Sequence, residues 1–213
     1  MKTLSNVVKH PVFITFFGFI LTGILGVMFS NNYERIQTEN ELKKESIEKR
    51  KELVKQFSEL LYNRYTQSQI LYITLMRNGP TDELKQQKKN YDAVYAEWQS
   101  KNQIYLLSIR ELLSAPLFEK FHFKLKGVVE SLYYADSCIV KAYDLYINGE
   151  NLSDTVLAKC DVSDMLEQIY SCLYSTTNDL YKLTAIELPN ADSTCINKWF
   201  EDTILTKDCP SIY

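Results

Sequence analysis

Histidine, proline and glycine are scarce in this chain of 213 residues, which has two, five and six of them respectively. The two histidines, His10 and His122, cannot build a conventional histidine-based metal centre, so no metal site and no cofactor are expected. The HExxH, GxSxG, GxxxxGK[ST] and GxGxxG patterns are all absent. With no supported Ser-His or Cys-His pairing either, the chain is not expected to be an enzyme. So little glycine and proline excludes a turn-rich sandwich or barrel. A dominant charge is also lacking: 24 basic residues against 27 acidic ones give a net charge of −3, and no nucleic-acid partner is expected.

One long apolar run is present. Residues Val12 to Phe29 (VFITFFGFILTGILGVMF) contain no charge. As a helix they would extend about 27 Å, close to the hydrocarbon thickness of a bilayer. Signal peptides have a shorter apolar core and a small-residue cleavage site, whereas this run is long and ends in Val27-Met28-Phe29. An uncleaved single-pass anchor over 12–30 is therefore expected. Lys2 and Lys9 precede it without any acid, which predicts a cytoplasmic N-terminus (1–11) and places the remainder outside the cytoplasmic membrane, in the periplasm or extracellular space. Setting those two lysines aside leaves 22 bases against 27 acids, so the outer part carries −5. Along the run, Gly18, Thr22, Gly26 and Ser30 recur every fourth residue and form a candidate packing ridge for another membrane helix.

The outer part keeps helical time. Asn78-Gly79-Pro80, Ser114-Ala115-Pro116, Asn148-Gly149 and Pro189 divide it into four segments, with Thr81 expected to cap the second. Leu84, Tyr91, Trp98, Tyr105 and Leu112 lie seven apart. Phe118, Phe121, Leu125, Val128, Leu132, Ala135, Ile139, Ala142 and Tyr146 follow steps of three and four, and the fourth segment repeats the pattern from Val162 to Leu183. The first segment carries Ile47, Val54, Phe57, Leu61, Leu71 and Leu75, interrupted by Arg64 and Ser68. The expected fold is all-α: an antiparallel up-down four-helix bundle over 52–189, with coiled-coil-like spacing and a long first helix. Residues 31–51, rich in Glu and Lys, read as a solvated helical stalk or a segment completed by another chain, and 190–213 as a short tail.

Five cysteines, all C-terminal to residue 137, suit an oxidising compartment and leave one thiol over. Cys195–Cys209 and Cys138–Cys172 are the expected disulfides. Cys160 replaces Cys172 as the partner if the fourth helix begins near Ser153. Asn151-Leu152-Ser153 fits the short glycosylation pattern.

Fifteen tyrosines remain the compositional oddity, most of them at or beside core positions. Tyr133, Tyr134, Tyr143 and Tyr146 are the candidate contact surface, because adjacent Tyr133 and Tyr134 cannot both face one core. No known family is recognisable. The order of anchor and bundle is similar to bacterial extracytoplasmic sensor modules, which return through a second span that this sequence lacks. The expectation is a non-enzymatic membrane-anchored protein that binds a protein partner, as an envelope-complex subunit or as a homo-oligomer. The alternative is a ligand-binding sensor signalling through a membrane partner.

Overall fold

The computed structural model describes residues 11–150 and 153–185, with side chains over 15–16, 18–150 and 155–182. It is all-α, with five helices and no strand among the described residues. They are α1 (Pro11–Met76), α2 (Thr81–Leu112), α3 (Ala115–Ile147), α4 (Ser153–Lys159) and α5 (Val162–Ala185). The chain divides into two compact units after Glu48, inside α1.

In the first unit the described residues up to Glu45 are exposed, and among the described residues no buried one precedes Val54. Its helix is supported locally, by Arg35–Glu39, Gln37–Glu41 and the Thr38 hydroxyl bonded to the Glu34 carbonyl. Among the described residues no helix is long and apolar enough to cross a membrane. The anchor expected over 12–30 lies partly outside the described side chains, which omit 12–14 and 17.

The second unit is a helical bundle whose helix ends are set by specific backbone bonds. α1 stops because Asn78 adopts φ 53°, and the Asn78 and Gly79 amides donate to the Leu75 and Thr74 carbonyls at 2.9 Å each. Gly79 has to be small, since a Cβ there would lie 2.7 Å from Thr74 Cγ2. Pro80, not Thr81, occupies the N-cap of α2: its carbonyl accepts the Leu84 amide and Thr81 is already helical. Ser114 caps α3 with Pro116 in its first turn, and Gly149 (φ 78°) closes it.

The apolar stripes meet in one core. Every α3 position from Phe121 to Ala142 in the expected stripe is buried, with Phe118 and Tyr146 half-buried at its ends. Phe57 of α1 sits 6.3 Å, centroid to centroid, from each of Trp98, Tyr105 and Phe121, joining three helices through aromatic contacts. Pairings rise along α1 as they descend along α2: Gln56 meets Tyr105, and Arg64 meets Tyr95. They likewise run in opposite senses between α2 and α3, where Arg110 meets Phe118 and Lys88 meets Tyr143.

The fourth segment departs from the sequence reading. Asp161 takes a left-handed conformation (φ 51°), its amide donates to Ala158 and its carbonyl accepts the Met165 amide, so it ends α4 and starts α5. This break brings Cys160, rather than Cys172, to Cys138: their Cα atoms are 6.4 Å apart and their sulfurs bonded. The expected Cys138–Cys172 bridge is therefore corrected to Cys138–Cys160, the pairing expected for a helix that begins near Ser153, as α4 does. Cys172 lies twelve residues farther along, is half-buried and carries a free thiol. Cys195, Cys209 and Pro189 lie outside the described residues.

Candidate functional site

The two polar interruptions in the α1 stripe, Arg64 and Ser68, are one helical turn apart, so they point into the core with the leucines around them. Both are buried, Arg64 at 1% relative exposure. Their partner is Asp136 of α3, in phase with Leu132 and Ile139 and also buried. Arg64 Nη2 donates to Asp136 Oδ2 at 2.8 Å and Nε to the same oxygen at 3.3 Å. The Ser68 hydroxyl stands 2.5 Å from Asp136 Oδ1, and Tyr91 of α2 also hydrogen-bonds the carboxylate. The rings of Tyr95 and Trp98 flank the guanidinium, 5.2 and 5.3 Å from its carbon.

This cluster is sealed and self-satisfied. Burial pushes the Asp136 carboxyl above its usual range, although the Arg64 charge and the bonds from Ser68, Arg64 and Tyr91 all pull the other way. Burial first, and the Asp136 charge second, push the Tyr91 phenol upward, so Tyr91 stays a neutral donor. The chemistry available is therefore attraction and orientation within the core. Among the described residues, no group of three His, Cys, Asp or Glu is placed to hold a metal ion.

A second, part-buried ion pair joins α3 to α5. Lys124 Nζ donates to Asp179 Oδ2 at 3.0 Å and to Ser175 Oγ at 2.8 Å.

The four candidate contact tyrosines do not share one surface. Tyr133 and Tyr134 are exposed on α3. Tyr146 is half-buried and donates its hydroxyl to the Gly79 carbonyl at 3.1 Å, pinning the α1–α2 turn. Tyr143 is half-buried and lies under the Lys88 ammonium. At 100° per residue, positions 134 and 143 fall on opposite sides of a helix, which is why the four separate.

The sequence reading passed over a more coherent aromatic surface. Tyr170, Tyr174 and Tyr181 are all about half exposed or more, and steps of four and seven place them within about 40° on one face of α5. At its upper end Tyr170 meets Tyr65 and Tyr62 of α1, with ring centroids 5.8 and 6.5 Å apart. The signal was available: a second stripe of period near 3.5, displaced by one residue from Ile169 and Leu173.

In the first unit, Gly18, Thr22, Gly26 and Ser30 are exposed along α1, and a Cβ added at Gly18 or Gly26 would meet nothing within 4 Å. The Thr22 hydroxyl turns back to the Gly18 carbonyl, and Ser30 Oγ lies 3.5 Å from Glu34. No family model matches this chain, no curated protein matches its sequence, and no solved structure matches its fold.

Proposed function

We propose that this chain is a non-enzymatic, membrane-anchored protein whose helical bundle binds another protein outside the cytoplasmic membrane, as a subunit of an envelope complex. The observation that carries the binding role is the α5 face of Tyr170, Tyr174 and Tyr181. Tyrosine offers a large, rigid, amphipathic contact at low entropic cost, and buried aromatics dominate binding hot spots. The exposed pair Tyr133 and Tyr134 on α3 adds to the aromatic surface.

The anchor rests on the uncharged run Val12–Phe29 and on nine large apolar side chains left exposed between Phe16 and Phe29. A helix apolar on every side is unfavourable in water, where each exposed leucine or phenylalanine forgoes roughly 1.5–3 kcal/mol of burial. The cytoplasmic N-terminus follows from Lys2 and Lys9.

Affinity purification of the full chain from detergent-solubilised membranes tests the binding role. A partner should co-purify in stoichiometric amount, and changing Tyr170, Tyr174 and Tyr181 together to serine should reduce its recovery at least tenfold with the unfolding midpoint unchanged. Equal recovery with the triple variant, or no partner with the native chain, sinks the proposal. A membrane-impermeant maleimide should label Cys172 in intact cells when the bundle is gently loosened; labelling only after the inner membrane is permeabilised would reverse the orientation.

A further inference from the structure

The stretch of α1 that follows the apolar run contains a second pattern. Phe29, Tyr33, Ile36 and Asn40 succeed one another by steps of four, three and four, the a/d spacing of a coiled-coil seam. Phe29, Tyr33 and Ile36 are 72%, 70% and 54% exposed, so this face has no partner among the described residues of its own unit. Ile47, at the next a position, is half-buried.

We infer that this face pairs with a second copy of the chain, as a parallel, in-register two-helix coiled coil over residues 29–47. The seam complements itself. In such a pair the residue at g of one helix meets the residue at e, five positions later, of the other. Those positions hold Glu39 and Lys44, so the two-fold axis generates two identical attractive pairs. Within its own helix Glu39 makes a loose, exposed contact to Arg35 at 3.8 Å, which the cross-helix pair can replace. Asn40 at an a position meets its own copy, the arrangement by which a single buried amide selects a two-stranded, in-register pair at some cost in stability.

The seam also has a weak point. Lys43 falls at the next d position, where two ammonium groups would approach. Its stem can lie along the seam while the head reaches water, and the pair is held below full strength. Leu42 is 61% exposed and equally apolar, but sits off the seam. That makes it the internal control.

Sedimentation equilibrium of the full chain in detergent micelles provides the test, and it does not depend on whether a hetero-partner exists or the anchor crosses a bilayer. The native chain should reach a monomer–dimer equilibrium. Ile36→Glu should weaken it at least tenfold, Leu42→Glu should leave it within twofold, and Lys43→Leu should tighten it at least tenfold. Glu39→Lys should weaken the dimer, and adding Lys44→Glu should restore it. All these positions are exposed in a unit without a core, so circular dichroism should stay constant across the set. A monomeric native chain at every concentration overturns the inference. So does equal loss with Ile36→Glu and Leu42→Glu, which would mean unspecific apolar association, and so does a charge swap that fails to restore pairing.

Discussion

The Arg64–Asp136 and Lys124–Asp179 pairs have similar closest distances, 2.8 and 3.0 Å, yet they sit in different surroundings. The first pair is 2% and 4% exposed, roofed by Tyr95 and Trp98 and completed by Ser68 and Tyr91. The second is 11% and 12% exposed and has one extra partner, Ser175. Water can relax around Lys124 or Asp179 if the other is lost. Around Arg64 it cannot, so its loss strands a carboxylate in a dry core. The worth of a buried pair therefore lies less in the pair itself than in what remains when half of it is removed.

The largest expected effect follows. Arg64→Met should lower the unfolding free energy by about 3–5 kcal/mol, measured by denaturant titration, because Asp136 is left buried with no cation. Replacing both members, Arg64→Met with Asp136→Leu, should recover stability to within about 1–2 kcal/mol of the native chain. A double variant as unstable as the single one would mean that packing, not charge, sets the cost. Next comes the Cys138–Cys160 bridge, which closes a 22-residue separation beside Asp136. Reduction, or Cys138→Ser with Cys160→Ser, should cost about 3 kcal/mol by loop entropy. Lys124→Met should cost only about 1–2 kcal/mol, between exposed and fully buried pairs. An effect as large as that of Arg64→Met would erase the distinction between the two sites.

The smallest effect is a slope. The folded chain holds the Asp136 proton above the ordinary value of 3.8, whereas the unfolded chain has given it up. Folded protein thus binds more protons in that window, and stability falls as pH rises from about 3.8 through the raised folded value. Asp136→Asn removes this titration. The stability of the native chain relative to that variant should decline as pH rises across the window and then level off, as read from paired denaturation curves. A difference that grows with pH would show that the ion pair outweighs burial.

Much of the fold was legible because helices are local. The α3 stripe from Phe121 to Ala142 repeats every three to four residues, and burial follows that period directly. Asn78-Gly79 and Asn148-Gly149 announce their stops through the residues that tolerate a positive φ. The break at Asp161 carries neither glycine nor proline, so nothing in the sequence chose between a helix start near Ser153 and one near Asp161, and the choice between Cys160 and Cys172 hung on that start. Arg64 and Ser68 were visible as polar residues in phase with leucines. Their partner was not, because 72 residues separate Arg64 from Asp136 and periodicity carries no information across that distance. The α5 tyrosines were masked for a related reason. A stripe of amphipathic rings one residue from the core stripe has the same period, and only packing decides which of the two goes inside.

The seat of Arg64 has one further consequence, for how the helices find their alignment during assembly. Leucine stripes are forgiving: a helix sliding by one turn, about 5.4 Å, exchanges one leucine for another at little cost. The guanidinium has a single address. Displaced by a turn along α3, it would leave Asp136 and face apolar side chains with its donors unmet, a penalty of several kcal/mol. Shifted arrangements of α1 are thereby made poor competitors, and one charged residue among many interchangeable contacts sets the vertical alignment of three helices.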